Sequence, residues 1–257
     1  MKNRGAKIVE IRSKLQNGIP SIGSWMQIPS TSVAEIMGDA GYDWIAVDLE
    51  HGSMSTSQLP DLFRAIELGG TLPLARLAHG HLKDAKDALD AGAGGIIIPM
   101  IETAQQLQSI IQYAYWPPEG IRGVGFSRAN LYGKYFKEYS EEARKTLIIA
   151  QIEHINAVSN IGKILNVPGL DAIIIGPYDL SASMNITGDF ENLAFKTAFN
   201  KILEACIRLK KAAGVHIVQP NSLELDKRIK EGFQFIAYSI DSVFLNESCI
   251  NPNKKIK

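Results

Sequence analysis

The chain has 257 residues, 46% of them hydrophobic and 21% charged, and its 27 basic residues balance 27 acidic ones. That composition suits a globular protein with a substantial core, and it offers neither a basic stripe for a nucleic-acid backbone nor a like-charge tail. The two cysteines, Cys206 and Cys249, lack disulfide-framework or metal-type spacing, so a reducing compartment, the cytoplasm, is expected.

The N-terminal "MKNRGAKIVEIRSKLQNG" mixes charge with apolar residues at helical spacing and reads as neither a signal peptide nor a membrane span. It predicts a helix near residues 6–15 that caps the fold before the first strand. Strand signals then follow in order: "IPSIGSWM", "DWIAVDLEH", "LPLARLA", "GGIIIPMI", "TLIIAQIE", "LDAIIIGP", "GVHIVQP" and "FQFIAYSID". Several are near-continuous apolar runs, as parallel strands covered on both faces require. Amphipathic stretches such as "TSVAEIMGDAG", "SQLPDLFRAIELGG" and "HLKDAKDALDAGAG" separate them, and their final Gly fits a helix stop. Eight alternations over this length predict an α/β fold, a single (β/α)8 TIM barrel spanning 1–257 with an N-terminal capping helix. A doubly wound sheet is the rival, but no G-x-G-x-x-G follows the first strand. One stretch breaks the rhythm, Trp116 to Phe136, "WPPEGIRGVGFSRANLYGKYF", and reads as a functional or interface loop.

In such a barrel the polar residues at the C-terminal strand ends form the active site. The second strand ends in Asp48, Glu50 and His51, and the third carries Arg76. The fifth ends with Gln151 and Glu153, two apart and therefore on one face, and the sixth runs into Asp179. Singly, each has a plain explanation: Asp179 as a helix cap, Asp48 as an internal polar group, Arg76 as a carboxylate's partner. Together they converge on one mouth. Two carboxylates from adjacent strands make an oxygen-rich site for Mg²⁺ or Mn²⁺, with Co²⁺ a further option. Arg76 adds positive charge where an enolate oxygen would develop, and His51 can carry a proton near neutral pH. None of the strand segments contains Lys, which weighs against a Schiff-base aldolase. Of the other histidines, His79 and His81 read as a solvated loop pair, His154 as a helix start, and His216 as a satisfied core histidine.

The blocks "GYDWIAVDLEHG", "LARLA", "IIIPMIETAQQ", "PPEGIRGVG", "AQIEHINAVSNI" and "GLDAIIIGPYDLSAS" resemble the HpcH/HpaI aldolase family from about Ser21 to Asp241. That family contains class II, metal-dependent pyruvate aldolases, typified by 4-hydroxy-2-oxoheptane-1,7-dioate aldolase and 2-keto-3-deoxy-sugar-acid aldolases. The resemblance implies Glu153 and Asp179 as metal ligands, Arg76 as the enolate's stabiliser and His51 as acid/base. It also implies Asp90 as the group orienting His51, and Gln151 with the Gly176–Pro177 backbone as the lining of the pyruvate carboxylate pocket. Asp48 and Glu50 would stand behind these, holding waters on the cation. The implied reaction is retro-aldol cleavage of a 4-hydroxy-2-oxo acid to pyruvate and an aldehyde. The alternatives are a citryl- or malyl-CoA-type lyase, an oxaloacetate decarboxylase, or a barrel retained only for binding. The family also implies a homo-oligomer, a hexamer whose C-terminal helices exchange between neighbours. "GFSRANLYGKYFKEY" and "SASMNITGDFENLAF" depart from its pattern and leave the aldehyde open.

Overall fold

Each apolar run becomes a strand. In the computed structural model, which describes residues 4–251, these are β1 (Ser21–Met26), β2 (Trp44–Asp48), β3 (Leu72–Arg76), β4 (Gly95–Ile98), β5 (Leu147–Ile152), β6 (Ala172–Ile175), β7 (Ala212–Ile217) and β8 (Phe235–Ile240). Neighbours in sequence pair in parallel, and β8 closes onto β1, giving the expected closed barrel. The closing pair slips register between Gly23 and Trp25, a bulge that re-aims the end of β1.

Strand alternation divides the core in two. Trp25, Trp44, Leu74, Ile149, Ile174 and Phe235 are among the side chains filling the barrel interior. Their strand neighbours, such as Ile45, Val47, Ile148, Ile175 and Ile236, pack outward against the helices. Trp44 stacks on Phe235 with ring centroids 4.3 Å apart. This arrangement requires Gly23, because a Cβ there would lie 2.1 Å from the Trp44 ring.

The helices are α1 (Arg4–Gln16), α2 (Thr31–Asp39), α3 (Leu59–Leu68), α4 (Leu82–Ala91), α5 (Ala104–Ala114), α6 (Phe136–Glu142), α7 (Ile155–Leu165), α8 (Pro177–Ser183), α9 (Leu193–Leu209), α10 (Ser222–Lys230) and α11 (Asp241–Ser248). Ile8, Ile11 and Leu15, on one face of α1, join the interior cluster and plug the N-terminal end of the barrel, as predicted. Among the described residues no helix is long and apolar enough to cross a membrane.

The 116–136 insert leaves α5 and leads through α6 into β5, so it lies at the plugged end beside α1. It does not border this chain's own mouth, as a loop shaping the aldehyde end would. Arg4 donates to the carbonyls of Gly92 and Ala129, and Arg128 donates to that of Ala91. Trp116, Ala129, Tyr139 and Ala143 form a small separate core there.

Candidate active site

The tip of β2 explains how an apolar strand can end in charge. Asp48 is its last residue, faces inward and is fully buried. Register sets Arg76 directly opposite, and the guanidinium donates through Nε at 2.8 Å and Nη2 at 2.5 Å to the two carboxylate oxygens. Gln27 Nε2 donates to the same carboxylate, as do the main-chain N–H groups of Glu50 and His51. Burial alone would raise this carboxyl, but the hydrogen bonds and charge of Arg76 outweigh it and hold it below the usual carboxylate range. Asp48 is therefore saturated by protein donors. It anchors Arg76 and the turn that carries His51. Arg76 also lies 4.7 Å over the Trp25 ring, which supports the cation from below.

Glu50 approaches Arg76 Nη1 at 3.0 Å. Burial pushes its carboxyl up, Arg76 opposes the shift, and the negative charges of Asp48 and Asp179 add to it. His51 is exposed on the rim, with its main-chain N–H tied to Asp48 and its side chain bordering the cavity.

Across the barrel, Gln151 and Glu153 face inward two residues apart. Glu153 is 2% exposed. It accepts the main-chain N–H of Met100 at 2.6 Å and the Gln151 Nε2–H at 2.5 Å. Met100 delivers its amide from a left-handed backbone, φ 52°. Burial, reinforced by Glu50 and Asp179 and opposed by these two donors, pushes the Glu153 carboxyl up to about 7. Gly176 keeps the space beside it open, since a Cβ there would sit 2.8 Å from Glu153 Oε2. Pro177 occupies the first turn of α8, where its missing N–H costs nothing, and the exposed Asp179 follows in that turn.

These elements surround a cavity of about 350 Å³ at the C-terminal strand ends, bordered by His51, Arg76, Gln151, Gly176, Pro177 and Asp179. Glu153, Asp48 and Glu50 contact its lining through the bonds above. Asp90 is not brought there. It lies in the last turn of α4, at the plugged end, where burial raises its carboxyl against the pull of Arg122 and Lys86. The expected pairing with His51 is thus not made within the chain, because α4 runs antiparallel to the strand before it. His154 caps α7, accepting the Asn156 N–H, and His79 and His81 sit exposed in the loop after β3.

Among the residues bordering the cavity, Trp25 and Gln27 escaped the sequence reading, and His216, read there as core, borders it as well. Gly23, Trp25 and Gln27 share the inward face of β1, so period-2 counting could have found the first two. His216 is half-buried within β7, and its Nε2 has no hydrogen-bond partner among the described residues.

Among the described residues no three His, Cys, Asp or Glu side chains form a ready-made metal cluster. The donor set nevertheless fits a hard divalent cation. Glu153 and Asp179 repel one another through their charge, Glu50 adds to the excess, and the buried Gln151 Oε1 has no hydrogen-bond partner among the described residues. Two carboxylates with open positions beside them suit an ion that keeps waters and takes a chelating substrate.

Comparison with known proteins agrees with this geometry. The chain is 31% identical over 253 residues to the hydroxypyruvate/pyruvate aldolase of Roseobacter denitrificans, covering 98% of this chain and 96% of that one. It is 34% identical over 241 residues to the 2-keto-3-deoxy-L-rhamnonate aldolase of Salmonella gallinarum, covering 91% and 88%. The crystal structure of an HpcH/HpaI aldolase/citrate lyase family protein from Burkholderia cenocepacia superposes with a TM-score of 0.89 at 27% identity, over 96% of this chain and 98% of that one. The model of this family matches residues 21–252. The chain belongs to the HpcH/HpaI aldolase/citrate lyase family.

Proposed function

We propose that this lyase, an aldolase by its family, cleaves a 4-hydroxy-2-oxo acid to pyruvate and an aldehyde with the help of a divalent cation. The observation that carries the reading is the convergence of Asp179 and Arg76 on one cavity with Glu153 just behind its Gln151–Gly176 wall, the Glu153 carboxyl lifted to about 7 by burial and neighbouring negative charge. A carboxyl so placed calls for a cation. Glu153 and Asp179 would hold Mg²⁺ or Mn²⁺, and such an ion supplies the Lewis acidity that draws electrons toward the keto group.

The chain's own groups do the rest. Gln151 and the Gly176–Pro177 backbone line the end that receives the 2-oxo acid's carboxylate. Arg76, locked by Asp48 and Glu50, offers charge to the keto oxygen as it becomes an enolate oxygen, without reorganising at that moment. His51 takes the proton from the C4 hydroxyl. The C3–C4 bond breaks, its electron pair passes into the enolate, and the aldehyde leaves. A proton delivered to C3 then gives pyruvate. Asp48 acts through others, by fixing Arg76 and the His51 turn.

Assembly as a homo-oligomer belongs to the same proposal. An apolar groove of about 410 Å³ between α2 and α11, with Ile36 and Leu245 exposed beside it, supports a covering copy and an exchanged C-terminal helix. Light scattering at catalytic concentration tests this, and a monomer there would overturn it.

The test of the reaction is pyruvate release from a panel of 4-hydroxy-2-oxo acids, with and without EDTA and added Mg²⁺ or Mn²⁺. Release that returns with metal and disappears in Glu153→Ala is expected. Release that persists after verified metal removal would refute the role given to the cation. Turnover of CoA esters alone would move the assignment to the related lyases.

A further inference from the structure

Gln27 follows the last residue of β1 and borders the cavity, half-buried. Its amide nitrogen Nε2 donates to Asp48 Oδ2 at 2.9 Å. The two oxygens of Asp48 are served unequally. Oδ1 accepts the Arg76 Nε–H and the main-chain N–H groups of Glu50 and His51. Oδ2 accepts the Arg76 Nη2–H and, among the described residues, only Gln27 besides. The oxygen on which Arg76 has its shorter grip therefore depends on one further donor.

Gln27 is itself held from outside the site. Asp241, buried at the start of α11, accepts the main-chain N–H groups of Gln27 and Ile28, each at 2.9 Å and each on its own carboxylate oxygen. Ser242 Oγ donates to Gln27 Oε1 at 3.4 Å, which turns the amide with its nitrogen toward Asp48. A carboxylate can rotate about its Cβ–Cγ bond, and rotation here would carry the paired guanidinium with it. Donors on both oxygens resist that rotation. An apolar side chain in place of Gln27 would leave Oδ2 with Arg76 alone and open its second lone pair to water from the cavity.

We propose that Gln27 is a positioning residue for enolate formation: by holding Asp48 it keeps Arg76 where the enolate oxygen develops. The proposal rests on the aldolase reading above and adds to it a residue that acts through another. Arg76 counts most as negative charge builds on the keto oxygen, so a loosened Arg76 lowers kcat more than it raises KM. The same relay ties the first turn of α11 to the chemistry, since Asp241 and Ser242 set Gln27, and Gln27 sets Asp48.

Exchange of the pyruvate methyl hydrogens with D₂O, followed by proton NMR on the metal-loaded enzyme, reads enolate formation without any aldehyde. Gln27→Met is expected to lower kcat for exchange about tenfold, with KM within about twofold and an unchanged melting temperature. Gln27→Leu, of different shape, should lose as much, because both variants lack the donor. The same change is then made beside Arg76→Lys, which gives up the two-pronged grip on Asp48. There Gln27→Met should cost less than about twofold, since little of the alignment is left to lose. A folded apolar variant with wild-type kcat, or an equal loss in both backgrounds, would overturn the proposal and leave the aldolase reading standing. Absence of exchange in the wild type would overturn that reading itself, and this proposal with it.

Discussion

At the plugged end of the barrel, Arg4 and Arg128 pair with Glu67 and Glu142 and cap the carbonyls of Ala91, Gly92 and Ala129. At the mouth, Arg76 holds Asp48 and Glu50 beside an open cavity. Both are buried arrangements of arginine and carboxylate, yet their charge balance differs. Below, two guanidinium groups meet two carboxylates. Above, among the described residues, Arg76 pairs with Asp48 and Glu50 while Glu153 and Asp179 add further negative charge, and the Glu50 and Glu153 carboxyls, raised first by burial, are raised further by that excess. A balanced cluster staples elements together, whereas an imbalance bordering a cavity makes room for a positively charged ligand.

The sharpest break in that comparison should come from Glu153→Gln. It removes the charge at the centre of the imbalance, and pyruvate release should fall about 10³-fold, the equivalent of roughly 4 kcal/mol. The fold should survive, as urea unfolding would verify. The same carboxyl predicts a pH dependence for metal-stripped protein. Folding raises it from 4.5 to about 7, so the folded state binds the proton more tightly than the unfolded chain. The stability this gives is fully present below about pH 4.5 and is lost as pH rises through about 7, a change of about 3 kcal/mol. A pH series of unfolding curves should show that slope in the wild type and a flatter one in Glu153→Gln.

Arg76→Lys keeps the charge but loses the two-pronged grip on Asp48. A loss of about 10²-fold in kcat/KM is expected, with KM rising less than kcat falls. Gly176→Ala probes crowding, because the backbone there is extended and the new methyl would meet Glu153 and Gln151 first. About a tenfold loss of kcat/KM with an unchanged melting temperature would fit, on the scale expected when a supporting contact displaces a metal ligand. The control is Arg4→Ala at the other end. It should cost about 3 kcal/mol of stability by stranding buried carboxylates, while kcat/KM per folded molecule stays within about twofold. A larger catalytic loss there would erase the division between staple and site.

The architecture was legible because its signals are local and repeated. Eight apolar runs separated by amphipathic helices leave few alternatives at this length, and the spacing of Ile8, Ile11 and Leu15 marks α1 as a plug. Much of the mouth was legible for the same reason: Arg76 and Gln151 lie on strands, and Glu153 just past one, whose apolar neighbours announce them. What escaped depends on direction and on partners. Asp90 matches a family position, but a residue in the last turn of a barrel helix lies a full helix length from the mouth. The 116–136 insert follows a helix rather than a strand, and that fact alone places it at the plugged end. His216 looked like core because burial is written in its neighbours, while its place on the cavity wall appears only in three dimensions.

The plug formed by α1 also has a kinetic consequence. With the interior layers packed and the far end sealed, the barrel is a vessel with a single door, and arrivals and departures share it. An oxo acid seated as proposed, deeper beside Gln151 and Gly176, would be screened by the aldehyde until that fragment has gone. For the proposed cleavage, ordered product release with the aldehyde first is the expected outcome. In product-inhibition experiments pyruvate should compete with the substrate for the free enzyme, whereas the aldehyde should inhibit in a mixed, noncompetitive manner.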